Sequence, residues 1–527
     1  MRLLVFWVSN LTLIIAFGQA KIVRDKIFIN NERFTPIVLN YGVSIRHEGT
    51  NSYFVSPSMT YCTYPKDSNC KDASECYENL KRDFTLISSL GYNTIRVFDF
   101  AYGFIQRGDK IEGPATLDIS YYYGPLKLQY FKEPFEDHFQ LLDKIVIAAR
   151  EAGLKIILLS GGKGVHLFPT SEDYNIYLQF LARRYSEDTT IIAYDLANEP
   201  SYFHTIKDKR EVKAIIKQWC ASIRNNTNNQ LITIGLTDAN TTFDWDPELL
   251  NVDFLSFHLY PEDDGSLEAY MKQLKWISTT IQKPWMIGET GFASSQFGKH
   301  KLKNGSEKEQ AEFFKTTLKA CRDCGSLGYS WWQYHDVNWS PDYGIMDSLH
   351  NLKLVANESR NCKSYVPVSS QCQILETRVA KTRSFKKSYS AVIVDRDNSP
   401  IANAVVRASL SRGKFIFEHT DAQGRFEFKS DKKIKILRVT APGYNTRRVK
   451  TFFAGEKITL KRIKDELKYE KSFIEKNRIK YCELLIEREK DECIINCIND
   501  PSCIKECKDI AKQKEKRCSD KLLPARI

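Results

Sequence analysis

Between about Phe34 and residue 340 the chain repeats one plan eight times, a short apolar strand pattern followed by an amphipathic helical one. The strand patterns fall at Pro36–Val43, Tyr92–Phe98, Leu154–Ser160, Ile191–Ala197, Gln230–Leu236, Val252–Leu259, Trp285–Gly288 and Leu327–Tyr334. Between them, segments such as His138–Ala152 place Leu141, Leu142, Ile145 and Val146 at helical spacing, with Gly153 positioned to end the helix. Eight repeats in this length predict an α/β chain folded as a (β/α)8 TIM barrel with insertions. A doubly wound open sheet is the competing arrangement and calls for a glycine-rich phosphate loop. The nearest stretch, Gly161-Gly162-Lys163-Gly164, lacks the spacing and the hydroxyl after the lysine.

A barrel of this kind does its chemistry at the C-terminal ends of its strands, so the polar residues there carry the argument. Ile191–Pro200 runs from an apolar stretch into Asn198-Glu199-Pro200, and Pro284–Phe292 repeats the plan to deliver Glu289. Arg96 lies near the end of the second strand, His258 and Tyr260 at the end of the sixth, and Trp331-Trp332 on the eighth. One glutamate alone would be an ordinary strand-end or capping acid. Two of them, ninety residues apart in sequence and at the same rim as five further polar or aromatic groups, predict paired-carboxylate chemistry. His258 on its apolar strand also reads as a satisfied core histidine, and one of the two tryptophans must point into the packing because side chains alternate along a strand.

The segments TIRVF, DLANEP, DFLSFHLYP, PWMIGETGF and SWWQY, in this order, resemble the clan A retaining glycoside hydrolases, and family 5 with its β-mannanases and cellulases most closely. The resemblance covers residues 34–350. It implies Glu199 as acid/base and Glu289 as nucleophile, supported by Arg96, Asn198, His258, Tyr260 and Trp332, with no cofactor and no metal. Such a mechanism needs one carboxyl protonated and its partner ionised about 5–5.5 Å away. The expectation is that Arg96 and Tyr260 hold Glu289 anionic while a less polar surround keeps Glu199 protonated. Asn198 would bond the sugar 2-hydroxyl and Trp332 would form the floor under the ring.

Residues 385–462 change character to short β-rich runs, Tyr389–Asp395, Ala404–Leu410, Lys414–Glu418, Arg425–Lys429 and Lys435–Thr440, which predict a small β-sandwich. The motifs PIANAVV, TDAQGRFEF and APGYNT resemble the carboxypeptidase-regulatory-like sandwiches. The remaining residues, 463–527, are helical and charged. An antiparallel hairpin turning at Asp500-Pro501 would pair Cys497 with Cys503, Cys493 with Cys507, and Cys482 with Cys518. Steps of 11 and 4 return each cysteine to nearly the same helical stripe. A metal site built from the paired C-x3-C elements is the alternative. Earlier in the chain, Cys62, Cys70 and Cys76 leave one cysteine over, Cys321 and Cys324 have redox spacing but read as structural, and Cys362 with Cys372 is expected to tie down the end of the barrel.

Charge is unevenly distributed. Residues 1–374 hold 40 basic and 43 acidic side chains (net −3), 375–462 hold 21 and 8 (net +13), and 463–527 hold 16 and 14 (net +2). A nucleic-acid-binding barrel is thereby disfavoured, and a contact of the basic module with an anionic surface is left open. Residues 1–20 read as a signal peptide, no later segment is apolar enough to span a membrane, and fourteen cysteines fit an oxidising compartment. Five glycosylation sequons follow, at Asn225, Asn240, Asn304, Asn338 and Asn357. The division expected is a barrel over 21–374, a sandwich over 385–462 and a hairpin over 463–527. The function expected is that of a secreted retaining β-glycosidase acting on a β-linked polysaccharide, with β-1,4-mannan favoured. A β-glucanase or transglycosylase is the alternative among enzymes, and a catalytically inactive carbohydrate-binding or adhesion protein the alternative of another class.

Overall fold

Eight strands pair in parallel and in sequence order, and the last closes on the first. They are β1 (Ile37–Glu48), β2 (Thr94–Phe98), β3 (Lys155–Leu159), β4 (Ile191–Asn198), β5 (Leu231–Leu236), β6 (Leu255–His258), β7 (Trp285–Glu289) and β8 (Tyr329–Trp331). All eight coincide with the strands expected from sequence. The computed structural model describes residues 20–48, 52–57, 70–98, 100, 105–107, 110–112, 136–161, 171–200, 208–261, 267–294, 305–336, 342–360, 372, 387–410, 415–430, 433–450, 453–463 and 500–518, with single positions from 479 to 497. The signal segment up to residue 19, Cys62, Cys362, Asn304 and Asn338 lie outside the described residues.

Helices follow most strands: α1 (Ala73–Ser89), α2 (Glu136–Glu151), α3 (Ser171–Arg184), α4 (Lys209–Arg224), α5 (Leu267–Thr280), α6 (Glu307–Asp323) and the short α7 (Leu354–Ser359). Local chemistry fixes their ends. The Asp72 carboxylate accepts from the Glu75 amide at the start of α1, and Ser306 and Glu309 form a reciprocal capping box on α6. After α2, Gly153 takes φ +71°, a left-handed conformation that glycine adopts without strain. Among the described residues no helix is long and apolar enough to cross a membrane.

Among the described residues one end of the barrel is covered. A three-stranded antiparallel sheet, Ala20–Ile22, Ile27–Ile29 and Glu32–Phe34, packs Ile27 and Ile29 against Val38, Ile157, Ile192, Leu231 and Met286. These contacts lie at or near the N-terminal ends of the strands, so the C-terminal ends form the mouth.

The outer ring departs from eight helices at one place. After β5 the chain makes only two 3-10 turns, Thr242–Asp244 and Pro247–Leu249, before β6. The segment after the barrel packs against that place. It contains β9 (Lys387–Val394), β10 (Val405–Ser409), β11 (Phe415–His419), β12 (Arg425–Ser430), β13 (Ile436–Thr440), β14 (Arg447–Val449) and β15 (Glu456–Thr459). They form two sheets, β12-β9-β15 and β11-β10-β13-β14, which share one apolar core of Ile393, Val406, Phe426, Phe428, Leu437, Val439 and Ile458. Val405 joins the barrel's own core, and His419 stacks on Trp276 of α5 with ring centroids 4.7 Å apart. Lys209, the first residue of α4, donates from Nζ to the Ala441 carbonyl (2.8 Å) and pairs with Asp246 (3.6 Å). Asp246 accepts from the Gly443 amide (2.5 Å), and Arg438 pairs with Asp244 (2.7 Å). Contacts with α4, α5 and the 3-10 segment put the two-sheet module where the helix after β5 would lie.

Five disulfides are present among the described residues. In the C-terminal segment Cys482–Cys518, Cys493–Cys507 and Cys497–Cys503 link the nested pairs expected for a hairpin, with α8 (Pro501–Cys518) as its second arm. Cys70 pairs with Cys76 at the start of α1. The expected Cys362–Cys372 tie is corrected: Cys372 is bonded to Cys324, which caps the C-terminus of α6 and whose Cα is 4.0 Å away. Cys324 is therefore structural, as expected. Cys321, buried and unbonded, has its thiol pushed up to about 12 by burial, which leaves no redox pair there.

Candidate active site

Two of the strand ends are irregular, and both deliver a glutamate. The pairing of β4 with β5 shifts register between Asp195 and Asn198, and Glu199 follows at φ +48°, a left-handed conformation uncommon for a residue with a side chain. The pairing of β6 with β7 shifts between Phe257 and His258, where His258 comes opposite Glu289. Such bulges re-aim side chains at barrel rims. Here they turn both carboxylates and the imidazole into one space.

Arg96 is the hub of that space. Its side chain is buried and donates to four acceptors: Asp195 (Nε to Oδ2, 2.8 Å), Asn40 (3.0 Å), Glu289 Oε1 (2.6 Å) and Asn198 Oδ1 (2.7 Å). Tyr260 donates its hydroxyl to the other oxygen of Glu289 at 2.9 Å. His258 Nδ1 lies 3.0 Å from Glu199 Oε1 and 3.3 Å from Glu289 Oε1. The opposite nitrogen, Nε2, is buried beside Gly235, where a Cβ would come within 2.8 Å of it. Among the described residues Nε2 has no hydrogen-bond partner, so the geometry assigns the ring hydrogen to Nδ1, between the two acids. One oxygen of each glutamate and the His258 nitrogen all lie within 4.8 Å of one another.

The two acids differ in surroundings. The Glu289 side chain is 5% exposed and that of Glu199 is 21% exposed, so Glu199 is the one that faces the mouth. Burial raises the Glu289 pKa, and the negative charge of Glu199 raises it further. His258, Arg96 and the Tyr260 hydrogen bond pull the other way. The net direction is upward. Arg96 thus offsets the burial of Glu289 without reversing it, whereas the sequence reading expected the guanidinium and the phenol to prevail. The group Glu199, His258 and Glu289 also has the donor atoms of a metal site, but a cation placed there would sit against the Arg96 guanidinium, which already serves Glu289.

The tandem tryptophans separate as strand alternation requires. Trp331 is fully buried among Phe313 and Phe314, and donates its ring N–H to the Tyr343 carbonyl (3.2 Å). Trp332 belongs to a small cluster at the mouth, packed on Phe98 (4.8 Å between ring centroids) with Leu159, Tyr260 and Tyr343 beside it. All seven residues singled out from sequence, Arg96, Asn198, Glu199, His258, Tyr260, Glu289 and Trp332, therefore lie at one rim. Two functional neighbours were missed. Asp195 holds Arg96 and accepts from the Gly235 amide (2.9 Å), and Asn40 links Arg96 to Ser330 (2.9 Å) and to the Trp331 carbonyl (3.0 Å). Their signal was present: each is a fully buried polar residue inside the apolar stretch of its strand, a placement that requires partners.

Comparison with known proteins identifies the family. Residues 61–336, just over half of the chain, match the model of the family described as cellulase (glycosyl hydrolase family 5). The mannan endo-1,4-β-mannosidase 7 of Arabidopsis thaliana is 24% identical over 300 residues, covering 44% of this chain and 69% of that protein. The mannan endo-1,4-β-mannosidase A of Hypocrea jecorina is 23% identical over 289 residues, covering 47% and 60%. Among solved structures, an exo-β-1,4-mannosidase from Opitutaceae bacterium strain TAV5 aligns with a TM-score of 0.44 at 17% identity, over 63% of this chain and 59% of that one.

Proposed function

The chain belongs to glycosyl hydrolase family 5, a family of retaining glycoside hydrolases that work with two glutamates, and on that premise we propose that it hydrolyses a β-linked polysaccharide, β-1,4-mannan before β-glucan. The observation that carries the reading is the pair Glu199–Glu289, with oxygens within 4.8 Å and unlike surroundings. That spacing suits attack by one carboxylate on the anomeric carbon and leaves no room for the interposed water of an inverting enzyme, whose carboxyls stand about 6.5–9.5 Å apart. Glu289, gripped on both oxygens by Arg96 and Tyr260, attacks and forms the glycosyl ester. Glu199, turned to the mouth, gives its proton to the departing sugar oxygen, then takes one from the water that cleaves the ester. His258, bonded to both acids, holds them in register between the two steps. Asn198, oriented by Arg96, is set to meet the sugar 2-hydroxyl, and Trp332 supplies the platform under the ring.

The preference for mannan rests on the two mannanases above, and the choice between mannan and glucan is left to product analysis on a panel of both. The division into a barrel, a two-sheet module over 385–462 and a hairpin over 463–527 belongs to the same proposal. So does export, which five disulfides favour. Proton NMR of an early digest tests the mechanism: the first-formed product should carry the β-anomer. Glu289→Gln should be inert. Glu199→Gln should fail on polysaccharide yet cleave an activated aryl glycoside, whose leaving group needs no proton. An inverted first product, or wild-type rates in either variant, would rule the assignment out. Binding of glycan with no turnover at all would instead point to a carbohydrate-binding protein.

A further inference from the structure

Part of the module's excess positive charge lies along its two edge strands. Segments 443–449 and 456–463 lie side by side, Asn445 N donating to the Lys461 carbonyl (2.9 Å) and Ile463 N to that of Gly443 (2.9 Å). Each carries an edge strand, β14 of one sheet and β15 of the other. From 443 to 463 there are six basic residues, Arg447, Arg448, Lys450, Lys457, Lys461 and Arg462, all exposed, and one acid, Glu456, which is occupied in accepting from the Phe453 amide. At the turn end Phe453 is 79% exposed, the most exposed large apolar side chain among the described residues. At the opposite end lies a cavity of about 420 Å³ lined by Arg396, Lys461, Arg462, Asn445, Asp395 and Asp397, together with Arg210. Arg210 belongs to barrel helix α4, whose chain leads back eleven residues to Glu199.

We infer that this track binds a linear, carboxylate-bearing polysaccharide and holds the enzyme on an acidic glycan while the mouth works on a neutral one. An extended stretch of six residues gives the track a length of about 20 Å, enough for several sugar units. The charges face the carboxylates of such a chain, and the exposed ring of Phe453 offers a stacking face for a sugar. The cavity distinguishes this ligand from other polyanions. Beside its guanidinium forks it offers the Asn445 carboxamide and the Asp397 carboxylate, which can meet the hydroxyls that every sugar unit carries and a DNA backbone lacks. A flat anionic lipid surface would not reach into the concave end. The inference stands apart from catalysis, since none of these residues borders Glu199 or Glu289.

The full chain is titrated against polygalacturonate, neutral mannan, duplex DNA and vesicles of mixed neutral and anionic phospholipid, at low and at raised salt. Polygalacturonate should bind at low salt and weaken as salt rises. The variants Lys450→Glu/Lys457→Glu and Lys461→Glu/Arg462→Glu should each bind it about tenfold or more weakly, as expected when several charge contacts are reversed. Both should keep wild-type hydrolysis of soluble neutral oligosaccharide and wild-type melting. Using two pairs guards against a folding defect from loss of the Arg462–Asp395 contact. The inference is overturned if polygalacturonate is not retained at low salt, or if both variants bind it like wild type. It is equally overturned if DNA or vesicles bind as tightly as the acidic glycan with the same loss in the variants. Should the variants merely self-associate while binding unchanged, the charges serve only to keep the edge strands from pairing.

Discussion

Two clusters of buried charge organise the protein, one at the barrel mouth and one at the seam with the two-sheet module, and they differ in balance. At the seam each acid has its base: Asp246 with Lys209, and Asp244 with Arg438. At the mouth one guanidinium, Arg96, faces Asp195 and Glu289, and Glu199 adds a third carboxyl nearby. Burial raises the pKa of Asp244 and Asp246 at the seam and of Glu289 at the mouth. The seam cluster matches its charges one to one and serves as an attachment. The unbalanced one sets like charges against each other around Glu289, an arrangement suited to a group that must attack, release and change its charge.

The largest effect should come from removing the single cation at the mouth. Arg96→Met strands Asp195 and Glu289 as neighbouring buried acids, so kcat/KM should fall by about 10³-fold, the scale of losing a main electrostatic support. Its sign in pH is also fixed. Glu289 must be ionised to attack, so activity appears as pH rises through its raised pKa, and the acid limb of kcat/KM lies above the ordinary glutamate range. Arg96→Met moves that limb further up. Asp195→Asn removes a negative neighbour and moves it down, with a loss of about 10²-fold from the slackened guanidinium. If both substitutions shift the limb the same way, Arg96 does not act on Glu289 through charge.

At the seam the same experiment should report stability in place of rate. Asp246→Asn leaves Lys209 buried without its ionic partner, and breaking a buried pair from one side costs about 3 kcal/mol. Chemical denaturation should show that loss while kcat of the folded protein holds. The paired change Lys209→Met/Asp246→Leu should recover much of it. A drop in kcat at constant stability would mean that the seam communicates with the mouth and is more than an attachment.

Asp83 lies between these two cases: it is half-buried and held by the hydroxyls of Tyr41 (2.6 Å) and Tyr334 (2.7 Å), with no ion pair among the described residues. Burial raises its pKa to about 6, against the lowering effect of those hydrogen bonds. A carboxyl whose folded pKa is raised contributes stability that is complete below its unfolded value and is lost as pH rises through the folded one. Stability should therefore fall by about 3 kcal/mol from this group between pH 4 and 7. In Asp83→Asn that slope should flatten, as read from denaturation midpoints across the range. An unchanged slope would mean that Asp83 titrates normally.

What could be read before folding follows from the range of the interactions involved. The eight strands were legible because a strand covered on both faces must be apolar throughout its centre, and Ile191–Ala193 or Trp285–Ile287 state this within a few residues. The seven rim residues were legible because the barrel topology turns position along a strand into position at the mouth. Asp195 and Asn40 were visible as anomalies, but their partner Arg96 lies 99 and 56 residues away. The seam was not legible at all. A missing helix after β5 leaves only a long loop pattern in residues 237–250, and the module that fills the gap begins about 140 residues later. The cysteines make the same point. The hairpin pairs were readable from symmetric spacing about a turn, whereas Cys324–Cys372 spans 48 residues with Cys362 as an equally plausible partner.

The hairpin gives the control for this comparison, because it is held by covalent bonds where the mouth and seam use charge. Its innermost disulfide, Cys497–Cys503, closes the shortest loop of the three and lies inside two others that already restrict the unfolded chain. Removing it frees little additional conformational entropy. Cys497→Ser/Cys503→Ser should lower the stability of the hairpin by only about 1–2 kcal/mol. Amide hydrogen exchange should register the change within 479–518 and nowhere in the barrel, and hydrolysis should be unaffected. Exchange that quickens in α4 or α5 instead would show that the staple supports the seam, and the distinction between covalent and ionic attachment would have to be given up.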